Sequence, residues 1–173
     1  MKKFIWLALA LSLVAMPSRA QETPVSDVSV GYAYFHASGA NLNGVSGSAA
    51  YYANDWFGLV GDIGVYHGSP SGVSVTALTY TVGPRFSVRK SDKVVPYVQA
   101  LVGGSHLSAS FGGFSGSVNP FAYGVGGGAE FSLAKSGKVV LRPEVEYFGL
   151  RSGGTANSVR ISVGIAYHIG RRR

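Results

Sequence analysis

The chain has no cysteine, few charged residues and, after its first twenty residues, no apolar run long enough for a transmembrane helix. The lack of cysteine excludes disulfides and thiolate metal sites. Charged residues make up 13% of the 173 positions, which is about half the usual share for a soluble domain. Because a soluble protein of this size normally carries more charge outside, the weakly charged exterior needs another explanation.

The first twenty residues have the three-part layout of a secretory signal peptide. A basic start precedes an apolar block, and Ser18 and Ala20 occupy the −3 and −1 positions of a cut before Gln21. The apolar block is shorter than the roughly 20 residues that span a bilayer as a helix. We therefore predict a cleaved signal peptide over residues 1–20 and one domain over residues 21–173.

Cleavage changes the charge balance of the chain. It removes Lys2, Lys3 and Arg19, which leaves 12 Lys and Arg against 8 Asp and Glu, a net charge of +4. Three of these charges belong to the tail 171–173, so the rest of the chain is almost neutral. We therefore expect no nucleic-acid partner.

Apolar residues after the signal peptide alternate with polar or small ones, which is the period of a β-strand. Glycine, at 25 positions, and clusters of Ser, Asn, Asp and Pro interrupt this alternation. The pattern predicts eight strands, most of them with the roughly 9–11 residues that a tilted strand needs to cross a membrane. The predicted strands are 27–36, 45–54, 56–66, 75–88, 95–105, 119–132, 139–149 and 158–169.

The predicted connections form two sets that alternate along the chain. Short polar connections lie at 54–55, 89–93 and 134–138, and longer ones rich in Gly and Ser lie at 37–44, 67–74, 105–118 and 150–157. Short periplasmic turns and longer outside loops are typical of outer-membrane barrels. The sequence therefore predicts an all-β fold, an eight-stranded antiparallel up-and-down transmembrane β-barrel with both chain ends periplasmic.

The two faces of the later strands differ in composition. One face is apolar, and the other carries Gly, Ala and Ser with isolated charges. A membrane barrel turns its apolar face to lipid, and small residues suit the interior of a narrow barrel. Aromatic residues lie near both ends of the strands, as expected of two girdles at the membrane interfaces. The girdle predicted beside the long loops is Tyr32, Tyr34, Phe35, Tyr66, Phe121, Tyr123, Tyr147 and Phe148, and the girdle predicted near the short turns is Tyr51, Tyr52, Trp56, Phe57, Phe86, Tyr97, Phe131 and Tyr167. For the first two strands, the question of which face points inward is left open.

Four segments carry a resemblance to a known family. VGPRFSV (82–88), PYVQALVGG (96–104), FAYGVGGGAEF (121–131) and SVGIAYHIG (162–170) resemble strands of the small eight-stranded outer-membrane barrels. That family includes the outer-membrane protein A barrel domain and outer-membrane protein X-like proteins, some of them porin-like. The resemblance covers about residues 25–170 and implies a protein of the Gram-negative outer membrane.

The resemblance also implies the partners. It indicates a monomer that contacts outer-membrane lipids and lipopolysaccharide and is inserted by the barrel-assembly machinery. The chain departs from the family in two ways. We expect no appended peptidoglycan-binding domain, and the chain ends in YHIGRRR rather than in Phe, so Tyr167 or Ile169 would serve in the assembly signal.

Seven charged residues are predicted to point into the lumen and to form an ion-pair network. They are Asp62, Arg85, Glu130, Arg142, Glu144, Glu146 and Arg160. Buried charges require partners, and hairpin register brings Glu130 close to Arg142 and Arg160 close to Glu146. We favour a plug over the alternative, the selectivity ring of a narrow porin-like channel, because eight strands leave little room for solutes.

Three motifs resemble those of catalytic or cofactor-binding sites. Residues 124–129 match a dinucleotide-binding pattern, but the strand alternation continues where a helix is needed, so no cofactor is expected. Glu144 and Glu146 lack the sugar cleft that a glycosidase needs. Three His-x-Ser pairs, which begin at His36, His67 and His106, suit the Ser–His chemistry of lipid A-deacylating barrels, but no suitably placed acid supports them.

These observations predict a protein that is not an enzyme and needs no cofactor or metal. Its predicted role is structural, or surface interaction, in the bacterial cell envelope. A narrow porin-like channel is the alternative, and a lipid A-modifying barrel enzyme is the third hypothesis.

Overall fold

The computed structural model describes residues 24–37, 40–91, 93–112, 114–134 and 136–170. The predicted signal peptide and the tail 171–173 lie outside these residues. Within the described ranges, no helix is long and apolar enough to cross a membrane. The described strands are β1 (Ser26–Ala37), β2 (Ala40–Tyr52), β3 (Phe57–Gly68), β4 (Ser74–Ser87), β5 (Val94–Phe111), β6 (Phe114–Val118), β7 (Phe121–Ser132), β8 (Val139–Arg151) and β9 (Thr155–Ile169).

The strands close into a single antiparallel barrel. Each strand pairs with its sequence neighbours, and β1 pairs with β9 to complete the ring. β6 and β7 pair with β5 in one continuous register, since Val118 lies opposite Leu107 and Phe121 lies opposite Gly104. Pro120, which lacks a backbone N–H, lies in the gap between them. They form one interrupted barrel strand, and the eight-stranded prediction is confirmed.

Both described chain ends lie at the same end of the barrel, because Ser26 pairs with Ile169. We call this the lower end, and it also holds the connections at 53–56, 88–93 and 133–138. The upper end holds the other four connections. The predicted long loops at 37–44, 105–118 and 150–157 are wrong. The strand β2 begins at Ala40, β5 continues to Phe111 before turning back into β6, and β9 begins at Thr155.

The outward face of the barrel is apolar on every full-length strand. Val30, Val125 and Ile63, on three different strands, are 67%, 59% and 55% exposed. The inward face is buried and carries the small and charged residues. A barrel that exposes its aliphatic side chains and buries its arginines is suited to a bilayer and not to water.

The aromatic residues divide between the two faces. Outward-facing rings lie toward both ends of the barrel, with Tyr32, Phe121 and Tyr147 among the upper ones and Trp56 and Phe86 among the lower ones. The outward rings agree with the predicted girdles. Five of the aromatics assigned to the girdles instead fill the lumen: Phe35, Tyr52, Tyr66, Tyr97 and Phe148.

Candidate functional site

The candidate site is the barrel lumen, which inward side chains of every full-length strand fill. The structure places all seven predicted charged residues there. The side chains of Arg85, Arg142, Arg160, Glu130 and Glu146 are at most 1% exposed, and Asp62 and Glu144 are slightly more exposed. Buried charges of this kind are tolerated only when other groups compensate them.

One ionic centre forms around Arg142, which lies on β8 across the lower hairpin from Glu130. The Arg142 Nη2 atom lies 2.6 Å from Glu130 Oε1 and 2.8 Å from Asp27 Oδ2. The Tyr52 hydroxyl donates a hydrogen bond of 2.6 Å to the same Asp27 oxygen. One guanidinium thus compensates two buried carboxylates from β1 and β7.

Arg85 extends this centre across the lumen. Its Nε donates to Gln99 Oε1 at 2.8 Å, and its Nη2 lies 3.5 Å from Glu144 Oε1. The Tyr97 hydroxyl donates to that same Glu144 oxygen. The Arg85 guanidinium also lies 4.5 Å from the Tyr97 ring centroid, within reach of a cation–π interaction.

A second centre forms around Arg160, nearer the upper end. Arg160 Nη1 donates to Asp62 Oδ1 at 2.6 Å and to the Tyr66 hydroxyl at 2.9 Å, and Arg160 Nε donates to Glu146 Oε2. Gln99 connects the two centres, because its Nε2 donates to Glu146 Oε1 at 2.7 Å. We refer to the connected side chains of both centres as the lumen network.

The lower end of the lumen network is closed by Arg89 and His168. His168 Nε2 lies 3.2 Å from Glu130 Oε2, and its Nδ1 lies 3.0 Å from the Gly137 carbonyl oxygen. Arg89 Nη1 lies 3.7 Å from the same Glu130 oxygen, and its guanidinium lies 4.6 Å from the Tyr52 ring centroid. These groups cover the mouth of the barrel beside the lower hairpins.

A metal ion is one alternative occupant of this region. Asp27, Glu130 and His168 each offer one ligand atom, and these atoms lie within 4.8 Å of one another. Arg142 already places a guanidinium nitrogen within 2.8 Å of both carboxylates. Across the lumen network, four arginines face five carboxylates, so the chain supplies most of the compensating positive charge itself.

An apolar cluster fills the upper half of the lumen. The Phe35 ring lies 5.2 Å from the Tyr66 ring and 5.9 Å from the Phe148 ring, measured between centroids. Leu42 and Leu101 pack in the same buried cluster. Two layers of side chains therefore fill the lumen along its axis. The lower layer consists of charged groups, and the upper layer consists of aromatic and aliphatic groups.

Sequence reasoning missed several members of the lumen network. Asp27 lies on a strand whose faces were left open, Gln99 is uncharged, and Tyr52, Tyr66 and Tyr97 were predicted to lie in the girdles. Arg89 was predicted to lie in a connection, and His168, which shares the polar face of its strand with Arg160, was not included in the predicted network. The alternation of β3 could have placed Tyr66 inward, since Tyr66 shares a face with Asp62, which was recognised as inward.

The three histidines of the His-x-Ser pairs lie on the outer surface near the upper end. His36 Nδ1 lies 2.6 Å from Asn41 Oδ1, His67 Nδ1 lies 3.1 Å from Thr76 Oγ1, and His106 Nδ1 lies 2.6 Å from Asn119 Oδ1. Ser38, the partner predicted for His36, lies outside the described residues.

The closed eight-stranded barrel, with its apolar outer face and charged lumen, agrees with the family that the sequence matches. The model for the outer membrane protein beta-barrel domain matches residues 6–168. The chain belongs to this family. Membership places the protein in the bacterial outer membrane. A search of curated proteins finds no significant match.

Solved outer-membrane barrels share the fold. Neisserial surface protein A is 19% identical, with a TM-score of 0.71 over 83% of this chain and 97% of that chain. Ail, the attachment invasion locus protein of Yersinia pestis, is 20% identical, with a TM-score of 0.63 over 84% and 98%. The N-terminal β-barrel domain of Pseudomonas aeruginosa OprF is 15% identical, with a TM-score of 0.59 over 85% and 100%. At these identities the likeness concerns the fold alone.

Proposed function

We propose that this barrel is a non-conducting protein of the outer membrane that serves the cell envelope in a structural or surface-interaction role. The main support for the proposal is that two layers of side chains fill the lumen. Charged groups on six of the eight barrel strands meet around Arg85, Arg142 and Arg160, and the cluster of Phe35, Tyr66 and Phe148 lies above them. A solute would have to displace both layers.

The proposal includes an orientation of the barrel in the membrane. Both described ends lie at the lower end, which we assign to the periplasm, and the upper end then faces outward. In this orientation, the outward-facing Tyr167 and Ile169 at the end of β9 are the residues that the barrel-assembly machinery would recognise. The apolar outer face contacts outer-membrane lipids and, in the outer leaflet, lipopolysaccharide, and the filled barrel needs no second subunit.

The surface-interaction part of the proposal rests on the β5–β6 hairpin. Every residue of β6 is exposed, and Phe114 at its tip is 85% exposed. One solved structure of Ail holds the heparin analogue sucrose octasulfate. In this chain, the segments 37–44, 67–74 and 105–118 have no charged residue, and 150–157 has only Arg151. The upper surface is therefore suited to an uncharged or apolar partner rather than to a polyanion.

Single-cysteine labelling tests the filled lumen, since the natural chain has no cysteine. Thr79, which points inward and is 1% exposed, is replaced by Cys, and the exposed Ser69 is replaced by Cys as the matched control. We expect Thr79→Cys to react with a charged thiol reagent at least about tenfold more slowly, because buried thiols are inert. Equal labelling rates at the two positions would support the porin-like channel instead.

A further inference from the structure

The positive charge outside the lumen network is distributed very unevenly along the chain. Of the 12 Lys and Arg residues after the signal peptide, four belong to the lumen network, and one, Arg151, lies at the upper end of β8. The other seven fall in the lower connections 88–93 and 133–138 and in the tail 171–173. Neither the filled lumen nor a partner at the upper surface accounts for this asymmetry.

Three of the seven residues, Lys90, Lys93 and Lys138, are described by the structure, and all three are exposed. We call them the lower lysines. Lys90 and Lys93 lie between β4 and β5, and Lys138 lies between β7 and β8. Because β5 and β7 pair with each other, these two connections are neighbours on the rim of the barrel. The connection between β2 and β3 contains Asp55 and no basic residue, so the lower lysines occupy one arc of the rim.

Strand pairing fixes the depth of Lys93 relative to the lower girdle. Phe131 faces outward near the lower end of β7, is 40% exposed and pairs with Val94. The next residues beyond this pair are Ser132 and Lys93, and the Ser132 N–H donates a hydrogen bond of 3.0 Å to the Lys93 carbonyl oxygen. Lys93 therefore lies one residue beyond a girdle ring, about 3 Å along the strand direction.

Lys138 has the same relation to the girdle on the next hairpin. Tyr167 faces outward near the lower end of β9, is 46% exposed and pairs with Val139. One residue beyond this pair, the His168 N–H donates a hydrogen bond of 2.8 Å to the Lys138 carbonyl oxygen. Two separate hairpins thus place a lysine directly below an aromatic side chain of the lower girdle.

The position of these lysines indicates the chemistry of the partner. Aromatic girdles lie at the membrane interfaces, so the residues just beyond them are at the level of the lipid head groups. A lysine side chain can rest its methylene groups on apolar surface and keep its ammonium group in this polar layer. Clustered basic residues next to a membrane attract anionic lipids, and the attraction increases with each charge.

We propose that the lower lysines bind the head groups of anionic phospholipids in the leaflet at the lower end of the barrel. The group bound is a phosphodiester with a net negative charge, as in phosphatidylglycerol, because a zwitterionic head group offsets its phosphate with its own ammonium. The assignment of this leaflet to the periplasmic side rests on the proposed orientation, but the preference for anionic lipid does not depend on it.

Quenching of tryptophan fluorescence by brominated lipids tests the proposal, because the mature chain has a single tryptophan, Trp56. In a Trp56→Phe background, Phe131→Trp places the reporter beside the lower lysines, and Phe121→Trp places it at the upper end of the same strand. Each full mature chain is refolded into phosphatidylcholine vesicles with identical leaflets. The vesicles contain the same minor fraction of either brominated phosphatidylglycerol or brominated phosphatidylcholine.

We expect brominated phosphatidylglycerol to quench the lower reporter more strongly than brominated phosphatidylcholine, with a difference that corresponds to an about fivefold local enrichment. Concentrated salt should remove this difference, because it screens exposed charges. The upper reporter should be quenched equally by both lipids. A soluble polyanion as the natural partner would leave the two brominated lipids equally effective at the lower reporter as well.

Lysine variants of the lower reporter assign the effect to the three side chains. The combined variant Lys90→Gln, Lys93→Gln and Lys138→Gln should lose the preference, and replacement of the same three residues by Arg should keep it. Arg151→Gln, which removes the basic residue at the upper end, is the matched control and should also keep it. Heat-modifiable gel mobility verifies that every variant is folded. Equal quenching at the lower reporter, the same preference at both reporters, or a preference that persists in the glutamine variant would overturn the proposal.

Discussion

Replacing Arg142 with methionine is expected to destabilise the folded barrel by about 3–5 kcal/mol or to prevent its assembly. Methionine keeps much of the side-chain volume but removes the guanidinium that lies 2.6 Å from Glu130 and 2.8 Å from Asp27. Two carboxylates would then be buried without their main cation. The measurement is urea unfolding of the refolded protein in lipid vesicles, followed by tryptophan fluorescence.

Arg151→Met is the control for this variant. Arg151 is exposed at the upper end of β8, the strand that also carries Arg142. Its replacement should change the free energy of unfolding by no more than about 0.5 kcal/mol, as for most surface substitutions. If Arg142→Met were as stable as Arg151→Met, the lumen network would not hold the barrel together.

Replacing Gly126 with leucine is expected to abolish assembly of the barrel. A Cβ atom at Gly126 would lie 2.4 Å from Glu146 Cγ, 2.4 Å from the Val145 carbonyl oxygen and 2.6 Å from Glu146 Cα. Two of these atoms belong to the backbone of β8 and cannot move without breaking the strand pairing. The larger leucine side chain would also displace Glu146 from Arg160.

Gly61→Leu is the matched control, because Gly61 points outward and a Cβ atom there meets nothing within 4 Å. The two variants are refolded in parallel, and heat-modifiable gel mobility reports the folded fraction. We expect Gly61→Leu to fold and Gly126→Leu to stay unfolded. Normal folding of Gly126→Leu would mean that the inward assignment of this strand is incorrect.

The eight strands, their order and the inward faces of the later strands could be predicted from alternation alone. In β9, for example, Val159, Ile161 and Val163 alternate with Arg160 and Ser162, and one register satisfies both faces. In β2, small and polar residues occupy both faces, so little hydrophobic contrast was available. In β1, Val28, Val30 and Tyr32 do alternate with Asp27, Ser29 and Gly31, but this contrast was not used. Asp27 was therefore missed as an inward residue.

The upper connections could not be predicted because strand pairing above the membrane does not require apolar residues. The Ser- and Gly-rich segment 105–118 was interpreted as a loop, yet Ser108 and Ser117 pair in the β5–β6 hairpin. Backbone hydrogen bonds hold this hairpin, and its side chains are free to be polar. Composition alone does not separate such a hairpin from an irregular loop.

Hairpin register was sufficient to bring Glu130 and Arg142 together, and the structure places them 2.6 Å apart. The contacts that cross the barrel could not be derived in the same way. Arg160 and Asp62 lie 2.6 Å apart although 98 positions separate them in sequence.

The steady conductance of the mature protein in planar lipid bilayers tests the central claim, a filled and closed lumen, most directly. We expect insertion of the folded barrel without discrete, lasting current steps, while a general porin added to the same bilayer shows that the assay detects channels. Lasting unitary steps from the folded wild-type protein, with a size that depends on the salt concentration, would contradict the closed lumen and establish a channel.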